Sequence, residues 1–382
     1  MAIIGIDARS ALKERRGIGT CTLKLIQNLA QIDDKNQYIL YVDNDDTKGL
    51  FPKKKNFAIK KLPLTNYILW EQIALPLSVI RDKVDILHCA GITAPLIISK
   101  RVKMAATIHD VTFLKDYSFL PASNIFYQRV GRIYRKHIVS LTIQRFEEII
   151  TITEFSKNDI LGHFPGLDPE KIKVSYLAAD GEFQVMEKER AGRLVKNSIG
   201  LEDDYIMLLG GVDPRKNTEF VIKNYFRMRQ DNLLQAKLVI IGLPNWRKTN
   251  FYDLVQRSNY SNDVIFTDHI SDELLIALYN MTLVFLYPSL FEGFGLPLLE
   301  AMACGCPVVA SNTSCIPEVA GDAGVYIDPY SADDFIVGVK RILSDADLRK
   351  RCIGKGLERV TKYSWMKMTK EILEIYQKLG AS

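Results

Sequence analysis

Short apolar runs that read as buried strands alternate with segments apolar at helical spacing, and they do so twice along the 382 residues. No other feature constrains the fold as much. Near the N-terminus "AIIGIDA" leads through the Gly-bearing "RRGIGT" to the helix-period "CTLKLIQNLAQI" and the strand-like "QYILYVD", a βαβ beginning. "VDILHCA", "MAATIHD" and "EEIITITE" follow, the last running into a helix start at "SKNDIL". Strands apolar on both sides belong in parallel sheets covered on both faces. The pattern breaks across residues 165–200, where "FPGLDPEKIKVSYLAADGEF" and the charged "MEKERAGRLVKNS" mark a boundary. It restarts with "YIMLLGG", "DPRKNTEFVIKNYFRM", "AKLVIIG", "DVIFTD", "SDELLIALYNM" and "LVFLYPS". The expected architecture is α/β, two doubly wound units in tandem, with a ligand outside the carboxyl ends of the strands and between the units.

Composition narrows the function classes. With 47% apolar and 25% charged residues the chain buries a large core, and disorder is excluded. A net charge of +5 is too small to argue for nucleic acid, and it fits an anionic ligand or surface. "MAIIGIDARS" lacks the basic start of a secretory signal. No run approaches the roughly 18 apolar residues of a membrane span, so a cytoplasmic location is expected. Six dispersed cysteines imply reduced thiols, and the close pair Cys304 and Cys306 has no second pair or nearby histidine to complete a metal site.

The stretch "FEGFGLPLLEAMACGCPVVAS" carries the chemistry. Gly293 and Gly295 are read as allowing positive φ and close approach of a ligand to bare backbone. Pro297 suits the first position of a helix, where an N–H has no partner. The amides near Phe294 to Leu296 then form an anion site at a positive helix end. Glu292 precedes the helix and Glu300 follows eight residues later; carboxylates accept well from sugar diols. Hydroxyls at both ends and phosphate in the middle describe a nucleotide sugar. In "GGVDPRKN" Arg215 and Lys216 stand at a helix start whose cap is Asp213. Cations there oppose the helix dipole unless an anion neutralises them. The Gly17-Ile18-Gly19 turn lacks the third glycine and acidic partner of a dinucleotide fingerprint.

The run "FEGFGLPLLEAMACGCPVVASNTSCIPEVAGDAG", with its E-x7-E pair Glu292 and Glu300, resembles the signature of retaining glycosyltransferases of family 4, the group 1 glycosyltransferases. The similarity continues in "GGVDPRKN", "SDELLIALYN", "ATIHDVTFL" and "GIDARSALKERRGIGT" and is strongest over residues 206–330. It implies the GT-B fold, two Rossmann-like domains facing a central cleft. The N-terminal acceptor-binding domain is then residues 1–180 and the nucleotide-sugar domain 181–365, with a C-terminal helix, 366–382, crossing back to the first. In this family Arg215 and Lys216 hold the donor diphosphate, and Gly17, Ile18 and Gly19 close over it. Glu300 takes the ribose hydroxyls, Glu292 faces the transferred sugar, and His109 sits beside the reacting carbon. Further donor contacts are implied for Asp110, for Thr267, Asp268, His269 and Ile270, and for Gly293, Phe294, Gly295 and Leu296. No metal or other cofactor is implied. "PRKN" is most similar to the mannosyltransferase branch that uses GDP-mannose or related GDP-sugars in surface polysaccharide assembly, with a glycan or lipid-linked acceptor. The chain departs from the commoner pattern at Gly211, where many members have arginine, and at Asn280-Met281-Thr282.

Other readings compete. Asp43-Asn44-Asp45 has the D-x-D form that binds a divalent metal in a different transferase architecture, but a polar turn is the favoured reading, because the anion cradle already makes a metal unnecessary. His88 reads as a buried structural histidine. "FPKKKN" and "YQRVGRIYRKHIVSLTIQRFEE" are solvated faces, or membrane-surface contacts if the acceptor is a lipid. Three functional alternatives share the donor site: a UDP-sugar transferase, a GT-B epimerase, and a nucleotide-sugar-binding protein without turnover. A dinucleotide oxidoreductase is disfavoured because neither Gly loop has the full fingerprint.

Overall fold

The computed structural model describes residues 1–13, 17–115 and 126–381, the side chains of 126–128 excepted. The chain divides into two compact units, Met1–Leu177 with Ser364–Ser382, and Ala178–Tyr363.

The first unit runs β1 (Ile3–Asp7), α1 (Gly17–Ile32), β2 (Gln37–Val42), β3 (Phe57–Lys61) and α2 (Tyr67–Leu69), which continues through a π-helical turn (Trp70–Ala74) into α3 (Leu75–Arg81). Then come β4 (Ile86–Cys89), β5 (Lys103–Thr107), α4 (Phe126–Thr142), β6 (Glu148–Thr151), α5 (Glu154–His163) and β7 (Ile172–Val174). Its seven strands are all parallel, in the order β3-β2-β1-β4-β5-β6-β7.

The second unit runs α6 (Lys188–Ile199), β8 (Tyr205–Leu209), α7 (Thr218–Gln230), β9 (Lys237–Ile241), α8 (Asn250–Gln256), β10 (Val264–Phe266), α9 (Asp272–Met281) and β11 (Phe285–Tyr287). It closes with α10 (Leu296–Ala303), β12 (Val308–Ser311), α11 (Ile316–Ala320), β13 (Gly324–Ile327), α12 (Ala332–Ser344) and α13 (Ala346–Val360). Its six parallel strands are ordered β10-β9-β8-β11-β12-β13. The last helix, α14 (Trp365–Ala381), belongs to the first unit. Its Tyr376 hydroxyl sits 2.5 Å from His88 Nδ1 on β4, and the other ring nitrogen, Nε2, lies 2.7 Å from Thr107 Oγ1 on β5. His88 is therefore the structural histidine its sequence position implies.

The apolar runs have a direct cause in the second sheet. Ile206, Leu208, Leu238 and Ile240 pack into one core cluster, and the alternate residues Tyr205, Met207, Val239 and Ile241 pack into another. Side chains of a strand alternate between faces, so both faces here are buried. Each such side chain contributes about 1.5–3 kcal/mol. Strand order reverses between β1 and β4 in one sheet and between β8 and β11 in the other. At such a reversal the loops leaving adjacent strands diverge to opposite faces and open a crevice at the carboxyl ends.

Candidate active site

Both loops at the β8/β11 reversal carry residues singled out by the sequence. After β8 the chain forms a 3-10 turn, Pro214–Lys216, in which Asp213 Oδ1 accepts from the Arg215 amide at 3.0 Å. Asn217, at φ 56°, ends that turn before α7 begins at Thr218. Arg215 and Lys216 thus occupy a separate capped turn and not the first turn of α7, where the sequence reading put them. The Gly211 amide donates to Thr218 Oγ1 at 3.0 Å, fixing the entry to α7. Leu290, in the loop after β11, donates its amide to Arg215 O at 2.8 Å, and Asn217 Nδ2 donates to Pro288 O at 3.2 Å. These bonds join the two loops.

The joining brings Lys216 to Glu292, with Nζ donating to Oε1 at 2.7 Å. Burial pushes the Glu292 carboxyl up, but the Lys216 charge, hydrogen bonds from Lys216 and Ser289, and the Arg215 charge outweigh it and hold the group below the ordinary carboxylate range. Arg215 directs Nε and Nη2 at Asp213 Oδ2, at 3.0 and 2.6 Å. Burial raises Asp213 too, and the Arg215 hydrogen bond and charge reverse the sign.

Only Gly295 of the two turn glycines takes a positive φ, 95°, as the residue preceding α10. The expectation for Gly293 fails because the reversal needs one left-handed residue, and Gly295 supplies it. Pro297 is the second helical residue and Leu296 the first. Phe294 is core: its ring meets Tyr363 edge-on at 5.9 Å, so only its backbone is available to a ligand. Glu300 lies one turn into α10, partly buried. Burial, with Asp272 and Asp180 adding like charge, pushes its carboxyl up to about 7. Neither aspartate was singled out by sequence, since both lie in other segments and only folding brings them near.

The β10–α9 loop holds Thr267, Asp268, His269 and Ile270. Thr267 is buried with no hydrogen-bond partner for its hydroxyl. Asp268 accepts from the Asn245 amide at 3.0 Å, His269 is exposed, and Ile270 packs on the core.

In the first unit, Gly17, Ile18 and Gly19 form the first turn of α1 and not a loop. A Cβ at Gly19 would come 2.6 Å from Ser10 O, so this glycine serves helix packing, whereas Gly17 faces open space. Arg15 and Arg16 of "RRGIGT" lie outside the described residues. His109 follows β5, buried, with Nε2 lacking a hydrogen-bond partner. Burial lowers it to about 4 although Asp110 pulls the other way. Asp110 itself accepts from the Thr112 amide at 2.9 Å.

Sequence reasoning missed a buried ionic network beside the β1/β4 reversal. Arg9 binds Asp7 through Nη2 at 2.7 Å and Glu71 at 3.2 Å, and lies 3.7 Å from the centre of the Trp70 ring. Glu71, in the π-helical turn, also accepts from Thr93 Oγ1 at 2.6 Å and Tyr134 Oη at 2.7 Å. The signals were the arginine of "GIDAR" and the lone acid of "LWEQIALP". The D-x-D aspartates face lysines: Asp43 pairs with Lys13 at 2.9 Å and Asp45 with Lys61 at 2.6 Å. No group of three or more metal-ligating side chains occurs among the described residues, and the six cysteines are unpaired and buried. At the amino ends of the second sheet's strands, away from the reversal loops, a cleft of about 560 Å³ is lined by residues including Asp203, Lys237 and Asp263 and contains none of the site residues.

Two family models cover most of the chain: "Glycosyl transferases group 1" matches residues 193–359 and "Glycosyltransferase Family 4" matches 15–182. The chain belongs to the family 4, group 1 glycosyltransferases. Its relatives include the O-antigen chain mannosyltransferase B of Escherichia coli, 27% identical over 277 residues, 72% of this chain and 71% of that protein. The serotype-specific mannosyltransferase WbdA of E. coli is 29% identical over 249 residues, 63% of this chain. That match spans only 29% of WbdA's length. Among solved structures, Anabaena Alr3699/HepE in complex with UDP and glucose superposes with TM-score 0.76 at 15% identity, covering 99% of this chain and 100% of that one. At that identity the likeness speaks for the fold, which is GT-B. Among the described residues, no helix of this glycosyltransferase is long and apolar enough to cross a membrane.

Proposed function

We propose that this glycosyltransferase moves mannose from GDP-mannose to a hydroxyl of a glycan or lipid-linked glycan in surface polysaccharide synthesis, with retention of configuration. The observation that carries the reading is the meeting of Arg215, Lys216 and Glu292 at the strand-order reversal, ahead of the positive end of α10. Two cations and a helix N-terminus suit a diphosphate leaving group, and preorganised charges lower the barrier to its departure. Glu292 takes hydroxyls of the transferred sugar, and Glu300 those of the ribose.

In the reaction the bond from C1 to the diphosphate oxygen breaks as the acceptor oxygen bonds to C1 on the same face. The acceptor proton goes to the departing phosphate. His109 supports this reading, since a ring that protonates only near 4 is a weak general base at neutral pH; its buried Nε2 is suited to a hydrogen bond with the sugar. The mannosyl donor is supported by relatives named as mannosyltransferases. A cytoplasmic site of action is supported by six buried free thiols.

A UDP-sugar donor is the second reading, favoured by the fold neighbour solved with UDP. Thermal shift with GDP, UDP, ADP and TDP separates them, because a ligand at about 100 times its Kd adds about 2.7 kcal/mol. GDP alone raising Tm supports the first reading; UDP alone replaces it with the second. Incubation with the donor alone then tests the epimerase alternative, which gives an epimerised sugar nucleotide; a binding-only protein binds the donor but shows neither transfer nor slow hydrolysis of it.

A further inference from the structure

Tyr287 closes β11, and its ring lies beneath both parts of the site in the second unit. Lys216 Nζ stands 5.5 Å from the ring centre, and a Cβ at Gly295 would come 3.5 Å from the ring and 3.7 Å from the hydroxyl oxygen. The side chain is 2% exposed and packs in the core cluster that also holds Leu298, Ala301 and Met302 of α10.

That burial leaves the hydroxyl unsatisfied. No partner stands at hydrogen-bond geometry from it, and a buried polar atom without one costs free energy that an apolar side chain avoids. Packing does not require the oxygen: Phe285, two residues earlier on the same face of the strand, fills the same cluster with its ring centre 5.7 Å away. Burial pushes the phenol well above its ordinary value of 10.0, and Glu292 adds to this by its charge and as an acceptor within reach but outside bonding geometry. Donor and acceptor are adjacent and not yet joined.

In the free protein Glu292 has other support. Lys216 donates to Oε1 at 2.7 Å, Ser289 adds a hydrogen bond, and Arg215, itself paired with Asp213, adds a second positive charge. The Cys315 thiol, just before α11, donates to Glu292 O at 3.1 Å, and burial with the Glu292 charge keeps it protonated. A diphosphate draws on Lys216 and Arg215, the two charges that hold the carboxyl ionised against its burial. The carboxylate then needs a further donor.

We propose that the Tyr287 hydroxyl is that donor, bonding to the Glu292 carboxylate once a sugar nucleotide is bound and positioning it for the hydroxyls of the transferred sugar. A hydrogen bond to the charged form of a carboxylate keeps it ionised. Tyr287 is thus a positioning residue that acts through Glu292. The inference rests on the reading that Glu292 faces the sugar.

The test compares Tyr287→Phe, Glu292→Gln and the double variant with the parent, reading nucleoside diphosphate release with water as the acceptor. The donor is GDP-mannose, or UDP-glucose if thermal shift selects UDP. Tyr287→Phe is expected to lower kcat at least roughly tenfold, the loss of one charge-assisted bond, and to leave the Kd of the nucleoside diphosphate unchanged in calorimetry. The acid limb of kcat, which reports the complex, moves to higher pH because Glu292 there loses a donor to its charged form; the limb of kcat/KM, which reports the free enzyme, stays. In the Glu292→Gln background the same change adds no more than roughly twofold, since it acts through the carboxylate. Tm holds or rises, because the hydroxyl has no partner in the free protein. Tyr279→Phe removes another buried hydroxyl without a partner, and no coupling to Glu292→Gln is expected from it. An unchanged kcat or acid limb in Tyr287→Phe, an equal loss in the Glu292→Gln background, equal coupling by Tyr279→Phe, or a lowered Tm overturns the inference and leaves the reading of Glu292 standing. A parent that releases no nucleoside diphosphate, or a Glu292→Gln variant that releases it as fast as the parent, overturns that reading and the inference with it.

Discussion

Lys216 and Glu292 stand 76 positions apart on loops leaving neighbouring strands, and the ammonium donates to the carboxylate at 2.7 Å. The pair places a positive charge at the strand-order reversal with its counter-charge already in position. In the proposed reading, a donor diphosphate arriving there meets a lysine already oriented by its carboxylate partner. Replacing Lys216 with Ala is expected to weaken binding of the nucleoside diphosphate by roughly 1.5–3 kcal/mol, the range for a charge-assisted hydrogen bond. Calorimetric titration measures it. Unchanged affinity removes Lys216 from the phosphate site.

The two glutamates of the E-x7-E pair respond to pH with opposite signs. Glu292 is held below its ordinary value of 4.5, so its contribution to stability is complete above that value and is lost as pH falls through its folded value. Glu300 is raised to about 7, so the folded state keeps a proton that the unfolded chain releases. Between 4.5 and about 7 Glu300 therefore makes stability fall as pH rises. Glu300→Gln is expected to be more stable than the parent at about pH 8, by on the order of 1–2 kcal/mol, and close to it at about pH 5. Urea unfolding at the two pH values checks this. A Glu300→Gln advantage of equal size at both counts against a protonated Glu300.

Much of this was legible in the sequence. The central strands of the second sheet appear as apolar runs because β8 and β9 feed two core clusters, whereas the edge strand β3 has no buried residue and leaves no such signal. The Gly295 turn and the Glu292–Glu300 spacing are local, and local patterns survive in one dimension. What was not legible is pairing over distance: the Arg9–Glu71 contact spans 62 positions, and Asp180 and Asp272 reach Glu300 from separate elements. Gly17 and Gly19 were misread as a loop because glycine weakens a helix signal, although the contact of Gly19 with Ser10 O explains its presence in one.

The Arg9–Glu71 pair gives a stability prediction. Both side chains are at most 5% exposed, and removing Glu71 leaves Arg9 with Asp7 as its remaining counter-charge while the Thr93 and Tyr134 hydroxyls lose their acceptor. Glu71→Ala is expected to cost about 1–3 kcal/mol, the range for leaving buried polar groups without a partner. Equilibrium denaturation reads the loss. A cost below about 1 kcal/mol is the value for an exposed pair, and it contradicts the buried placement.

Asp43 and Asp45 each face a lysine in this structure. Transfer is expected to persist in excess chelator, since two cations and a helix end are available to the leaving group. The assay is product formation with EDTA, with and without added manganese or magnesium. Activity that vanishes and returns with metal moves the charge-stabilising role to a divalent ion and makes Asp43 and Asp45 its first candidate ligands.

The stereochemical prediction joins Glu292 and His109. If Glu292 holds hydroxyls of the transferred sugar, Glu292→Gln loses charge-assisted bonds worth about 1.5–3 kcal/mol, and kcat/KM falls by roughly one to two orders of magnitude. The anomer formed stays the same, because the amide changes binding and not the face of attack. An inverting reaction needs a base behind the anomeric carbon, and His109, neutral with a buried Nε2, is the candidate for that role. Its depressed value makes it poorly matched to the task, since a general base works best with a value near the operating pH. Proton NMR of the first product from an α-linked donor decides between the two. An α-linkage from both the parent and Glu292→Gln sustains same-face attack; a β-linkage ends it and assigns the proton to His109.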